Sequence, residues 1–209
     1  MTDLAGREQV EILADKDPGV GLPGRVYLPG YSRKMGPQSH LFAERERLQS
    51  LTWEYFDVKQ LSPTIGAELV GLDLSQELTD EVVSEIQQAL WDYKVIFFRN
   101  QEITSEEQLR FAQRFGELEI HPFLPPNTET PELVRFEKNA NAAGYENQWH
   151  HDVTWRETPS QGAILRAIEI PPIGGDTLFV DANAAYEGLT QEMKDEIDSL
   201  NACLLYTSP

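Results

Sequence analysis

Apolar and polar positions change rhythm several times along the chain, and each change predicts an element. Near residue 56 the period is two. Phe56-Asp57-Val58-Lys59 and Ala67-Glu68-Leu69-Val70-Gly71-Leu72-Asp73-Leu74 alternate, separated by Ser62-Pro63 and Gly66, as a pair of strands would. The period then lengthens. Thr79 stands before Asp80 and Glu81 as a helix cap, and Val82, Val83, Ile86, Ala89, Leu90 and Tyr93 form one apolar stripe. Val95-Ile96-Phe97-Phe98 is short and wholly apolar, which predicts a buried strand. Thr104-Ser105-Glu106-Glu107 spells a capping box, followed by a helix burying Leu109, Ala112 and Phe115 and stopped by Gly116.

Beyond residue 117 the pattern breaks into strand-like runs: Leu133-Val134-Arg135-Phe136, Gly162-Ala163-Ile164-Leu165 and Thr177-Leu178-Phe179-Val180. Thr190 opens a last helix with Met193, Ile197 and Leu200 inward. Strands that follow flanking helices predict an α+β domain built on an antiparallel sheet or barrel. Before residue 55 the chain reads differently. Residues 17–37 are crowded with Pro and Gly and keep no period, which predicts an extended arm lying on the domain or on a partner subunit. Residues 44–51 predict a short charged helix within that N-terminal extension of residues 1–54.

Composition narrows the class. Of 209 residues, 40% are hydrophobic and 10% aromatic, enough for one substantial core. The formal charge of −18 argues against nucleic acid or an anionic membrane as partner, because phosphate binding needs clustered Lys and Arg. No stretch of about 18 apolar residues predicts a membrane span. The first residues carry neither a basic region nor an apolar one of the secretory kind, and the single cysteine, Cys203, excludes an internal disulfide. The expectation is an acidic cytoplasmic protein.

The candidate chemistry lies among four histidines: His40, His121, His150 and His151. In a strand, His150 and Asp152 would share one face while His151 points to the other. An imidazole and a carboxylate so placed suit Fe(II), Mn(II) or Zn(II). A His-x-Asp tripeptide is weak by itself, since hydrogen-bonded surface pairs have the same spelling.

The surrounding blocks add weight. Asn147-Gln148-Trp149-His150-His151-Asp152-Val153-Thr154-Trp155-Arg156-Glu157-Thr158-Pro159 leads to Pro171-Pro172-Ile173-Gly174-Gly175-Asp176-Thr177-Leu178-Phe179. Upstream stand Phe97-Phe98-Arg99-Asn100-Gln101 and Phe111-Ala112-Gln113-Arg114-Phe115-Gly116-Glu117-Leu118-Glu119-Ile120-His121-Pro122. In that order and spacing, these blocks resemble the taurine dioxygenase family of Fe(II)- and 2-oxoglutarate-dependent oxygenases, the taurine and 2,4-D dioxygenase group, across residues 56–202. The resemblance implies a double-stranded β-helix, or jelly roll, with helices packed outside. It implies Fe(II) as metal, and 2-oxoglutarate and O₂ as co-substrates. His150 and Asp152 match the first two members of the family's 2-His-1-carboxylate triad, with no catalytic residue expected beyond the metal ligands. Thr177 matches a position whose hydroxyl helps hold a 2-oxoglutarate carboxylate. His121 matches one that contacts the substrate's anionic group, and Val153 and Trp155 match the apolar side of the substrate pocket. A protonated imidazole complements a sulfonate, so the substrate expected is a small anion such as taurine, another sulfonate, a sulfate ester or an aryloxy acid. The family also often forms dimers or tetramers, which makes a homo-oligomer an expectation.

Two departures reshape that pocket: Glu146 stands where a taurine-type site has an amide, and bulky Trp155 replaces a Phe. The family's third ligand and its carboxylate-binding arginine come from a later strand, yet no His or Arg follows Thr177. Residues 203–209, Cys-Leu-Leu-Tyr-Thr-Ser-Pro, break the family pattern, and their back-translation reproduces a transposase mosaic end used in sequencing libraries. The expectation is therefore an incomplete catalytic domain over residues 55–202 with an adapter-derived tail, itself inactive. Two other readings stay open: a jelly-roll binding or regulatory module without catalysis, and a Zn-dependent hydrolase using His121, His150 and Asp152. The second leaves the Gly174-Gly175-Asp176-Thr177 block unexplained.

Overall fold

The computed structural model describes residues 39–121, 129–137 and 149–201. Eight elements occur among them: α1 (Ser39–Gln49), β1 (Asp57–Gln60), β2 (Ala67–Val70), α2 (Asp80–Tyr93), β3 (Ile96–Phe97), α3 (Ser105–Gln113), α4 (Ala182–Glu187) and α5 (Gln191–Ile197). The three strands form one mixed sheet in the order β1-β2-β3. β1 and β2 are antiparallel with Asp57 opposite Val70, whereas β2 and β3 are parallel with Ala67 opposite Ile96. The architecture is thus α+β, with α2 forming the crossover that parallel pairing requires.

The expected strand pair is present, and the turn between its members shows why. Gly66 takes φ +89°, a left-handed conformation that costs glycine little, and its N–H donates to the Tyr93 carbonyl at 2.8 Å. The alternating run to Leu74 nevertheless stops being strand at Val70. Past it, Leu74 N–H donates to Gln101 Oε1 and Gln101 Nε2 donates to the Leu72 carbonyl, both at 2.9 Å, so a side chain replaces the neighbouring strand.

The helix signals also translate. Thr79 accepts the Val82 N–H as N-cap of α2, and Val83, Ile86, Ala89 and Tyr93 are buried. Thr104 and Glu107 close the reciprocal capping box of α3. The face that α3 buries is displaced from the expected one: Gln108 and Phe111 are its buried residues, while Leu109, Ala112 and Phe115 are half-buried. Phe111 takes the central place because Phe98 and Phe115 meet its ring edge-on, with centroids at 5.7 and 5.1 Å.

One core joins Leu48, Phe56, Ala67, Leu69, Ile86 and Tyr93. Helix α1 belongs to it through Leu48, whose carbonyl accepts the Tyr93 hydroxyl at 3.3 Å. Charges fasten α1 from outside. Arg47 reaches Glu44 at 2.8 Å and Asp92 at 2.7 Å, and Lys94 reaches Glu44 at 3.2 Å and Asp181 at 3.5 Å. The Arg47 guanidinium is the main reason the Glu44 carboxyl is held down at about 2, with Lys94 adding to it against the opposing effect of burial.

After α3 the expectations fail in an instructive way. Residues 133–136, 162–165 and 177–180 are extended or irregular, and none is a strand. A strand exists only through ladder hydrogen bonds to a neighbour, and the described residues offer these runs none. Many of their apolar side chains face solvent accordingly, among them Phe136, Leu165 and Leu178, although Leu133 and Val134 are half-buried. α5 starts at its Thr190 cap as expected, with Met193 and Ile197 half-buried, but Leu200 is exposed beyond its end. α4, capped by Asp181, has no counterpart in the sequence reading. The Pro/Gly-rich stretch of residues 17–37, Glu146 and the segment 203–209 lie outside the described residues.

Candidate functional site

The His150–Asp152 pair sits at the entry to a turn, not in a strand. Residues 152–155 form the turn, Val153 adopts φ +57°, and Arg156 N–H donates to the Val153 carbonyl at 3.2 Å. Strand alternation is therefore the wrong reason for their shared face, although the outcome holds: His150 Nε2 lies 3.2 Å from Asp152 Oδ1. His151 turns its ring elsewhere, its Nδ1–H donating to the Asp152 carbonyl at 2.9 Å. Thr154 stiffens the turn by donating its hydroxyl to the His151 carbonyl at 3.3 Å.

The donor set fits a divalent transition ion. Imidazole N and carboxylate O bonds of about 2.1 Å, set at right angles, place the two donor atoms about 3.0 Å apart. The observed 3.2 Å is close to that spacing, and also that of a plain ion pair. Both side chains are open to an incoming ion, at 67% and 63% exposure. Among the described residues, no group of three or more His, Cys, Asp or Glu is placed to hold one ion.

The remaining nominated residues stand on separate segments. His121 is half-buried at the end of the stretch that follows α3. Val153 and Trp155 are half-buried within the turn itself. Thr177 is exposed on the run that follows Gly174 and Gly175, whose φ values are +79° and +73°. That run is anchored downstream by Phe179, edge-on to Phe97 at 6.1 Å, and by Asp181 on Lys94.

Three residues given no role by the sequence, Glu119, Arg156 and Ser160, also belong to this region. Arg156 Nη1 lies 2.6 Å from Glu119 Oε1, and its guanidinium carbon sits 4.8 Å from the centre of the Trp155 ring. Ser160 donates to the other Glu119 oxygen at 2.8 Å. The only sequence signal was an Arg directly after an aromatic residue, which is too common to single out. A groove of about 770 Å³ lined by Asp80, Glu81, Ser84, Glu85, Trp91 and Arg114 runs along the outer face of α2 and includes none of the nominated residues. Among the described residues, no helix is long and apolar enough to cross a membrane.

Known proteins resemble the chain over most of its described residues. Residues 57–206 match the family described as taurine catabolism dioxygenase TauD, TfdA family, and the chain belongs to that family. It is 38% identical over 146 residues to an alpha-ketoglutarate-dependent sulfate ester dioxygenase of Pseudomonas putida, covering 69% of this chain and 48% of that protein. It is 36% identical over 150 residues to an alkylsulfatase of Acinetobacter baylyi, covering 71% of this chain and 47% of that protein. Among solved structures, a taurine dioxygenase from Burkholderia xenovorans superposes with a TM-score of 0.59 at 36% identity, covering 70% of this chain and 52% of that one. The chain thus spans about half the length of the curated relatives it matches.

Proposed function

We propose that the protein is an Fe(II)- and 2-oxoglutarate-dependent dioxygenase that hydroxylates a small anionic substrate, a sulfonate or sulfate ester, on a jelly-roll domain to which residues 55–202 contribute. The observation that carries this is the His150 Nε2–Asp152 Oδ1 distance of 3.2 Å within the family-matched span. His150 and Asp152 would hold the iron, which when bound supplies oxidation of a substrate C–H bond by O₂ coupled to decarboxylation of 2-oxoglutarate.

The chain's own groups then divide the remaining work. Asp152 contributes negative charge that favours a divalent cation, and His150 must be unprotonated at Nε2 to donate there. Thr177 offers a hydroxyl to a co-substrate carboxylate, and its exposure leaves that group accessible. His121, as the imidazolium, complements a sulfonate or sulfate head. Val153 and Trp155, on the same turn as the metal pair, give the substrate carbon an apolar wall that excludes water. The likeness to a sulfate ester dioxygenase and an alkylsulfatase supports a sulfur oxyanion over other anions.

The test is succinate release by the protein encoded at the source locus, supplied with Fe(II), 2-oxoglutarate and O₂ against taurine, alkylsulfonates, alkyl sulfates and aryloxyacetates. Substrate-dependent succinate with one of the sulfur oxyanions is the expected result. Tight binding of these anions without succinate would leave a binding module in its place.

A further inference from the structure

The turn that carries the metal pair is braced from one side. Glu119 uses both carboxylate oxygens on it: Oε1 faces Arg156 Nη1 at 2.6 Å, and Oε2 accepts the Ser160 hydroxyl at 2.8 Å. No N–H is aligned on Oε1 as a hydrogen bond, so the Arg156 contact is an ion pair by proximity. That leaves the guanidinium plane free to lie over Trp155, at 4.8 Å from the ring centre. The main chain of Arg156 is fixed as well, by its N–H on the Val153 carbonyl at 3.2 Å. One carboxylate thereby holds both ends of residues 156–160. It also stands two residues before His121, so it ties the metal turn to the segment nominated for the substrate's anionic group.

We propose that Arg156, held by Glu119, is a positioning residue that sets the orientation of the Trp155 ring and so the shape of the apolar substrate wall. The inference rests on the functional reading above for the word substrate, whereas the brace itself does not. Only arginine suits the role fully. Its extended planar cation can stand beside a carboxylate and over an indole at once, while a lysine ammonium is a point charge that satisfies one partner at a time. The indole is the bulky group on this wall, so a change in its tilt acts on long or branched substrates more than on short ones.

Two measurements test this. In the 209-residue chain, the indole ¹⁵N–¹H signals of its four tryptophans are recorded, with Trp155 assigned through Trp155→Phe. Arg156→Ala is expected to move the Trp155 signal and leave that of core-packed Trp53 in place. Glu119→Gln, which keeps the shape and removes the charge, should move it in the same direction by less, and Arg156→Lys should restore part of the shift. In the protein encoded at the source locus, Arg156→Ala should raise KM for a long-chain alkyl sulfate about two- to fivefold, the range that losing one cation–ring contact allows. The values of kcat and of KM for 2-oxoglutarate should stay put. An unmoved Trp155 signal in both Arg156→Ala and Glu119→Gln overturns the brace, and so does a fall in kcat with KM unchanged. If Arg156→Ala does not fold, Glu119→Gln and Arg156→Lys carry the same readouts. Wild-type protein that releases no succinate overturns the functional reading instead, and the indole signals still decide the brace.

Discussion

Replacing Glu44 by glutamine isolates the ionic fastening of α1. In the wild type the carboxylate meets Arg47 through two nitrogens, at 2.8 and 3.0 Å, and Lys94 at 3.2 Å. Its carboxyl is held at about 2 instead of the ordinary 4.5, chiefly by the Arg47 hydrogen bonds. At about 1.4 kcal/mol per pH unit, that gap caps the linked stabilisation at about 3 kcal/mol. The cap is too high, because Glu44 is 27% exposed and Arg47 45% exposed, so water screens the pair. Exposed pairs contribute about 0.2–1 kcal/mol each, so the two that Glu44 makes bring the expected loss in Glu44→Gln to about 0.4–2 kcal/mol at pH 7. The loss stays modest for a second reason. Arg47 keeps Asp92 at 2.7 Å, and Lys94 keeps the Thr64 carbonyl at 2.8 Å, so neither cation is stranded. The sign follows from linkage. A carboxyl whose folded-state value lies below its unfolded one stabilises fully above about pH 4.5, and the effect disappears as pH falls through about 2. Urea unfolding of wild type and Glu44→Gln from pH 7 down to about pH 2.5 should show the gap narrow below pH 4.5 and nearly close. A gap that stays constant across that range would refute the reasoning.

Ile86 is 0% exposed at the centre of the core, so Ile86→Ala should cost about 2–5 kcal/mol, read as a lower urea midpoint. Gly175 combines φ +73° with a Pro171 side-chain carbon 3.2 Å from where a Cβ would sit, so Gly175→Ala should destabilise by about 1–2 kcal/mol in thermal unfolding. Gly162→Ala, where a Cβ meets nothing within 4 Å, is the control and should be close to neutral. Asp152→Ala should weaken Mn(II) binding, measured by calorimetry as an oxidation-resistant stand-in for Fe(II), at least about tenfold. Unchanged affinity would remove Asp152 from the metal site.

The first half of the described chain was legible because its signals are local. Thr79 needs only the next turn to cap α2, and Thr104 with Glu107 closes a box within four residues. The alternation of residues 56–59 against 67–70 likewise carries its own partner across a short turn. Later apolar runs such as residues 162–165 carry no such partner, and alternation or apolarity within one run cannot state whether a neighbour exists. The short α4 was missed because six residues, half of them alanine, show no stripe, although the Asp181 cap was available to read. At the site, the His150–Asp152 meeting was anticipated through strand geometry and arises from a turn at Val153. The Glu119–Arg156 brace spans thirty-seven positions in sequence, a distance over which residue spacing is silent.

The β2–α2–β3 crossover has a consequence for how the molecule opens to solvent. Its strands pair within residues 67–97, and Ala67, Leu69, Ile86, Ala89 and Tyr93 are buried around it. The two strands pair across the twenty-nine positions from Ala67 to Ile96, so one continuous stretch of chain carries both partners and the helix between them. The turn at residues 152–155 and the Gly174–Gly175 run lie outside that crossover. Their amides should exchange with solvent well before those of α2, and an ion bound by His150 and Asp152 would slow exchange at the turn.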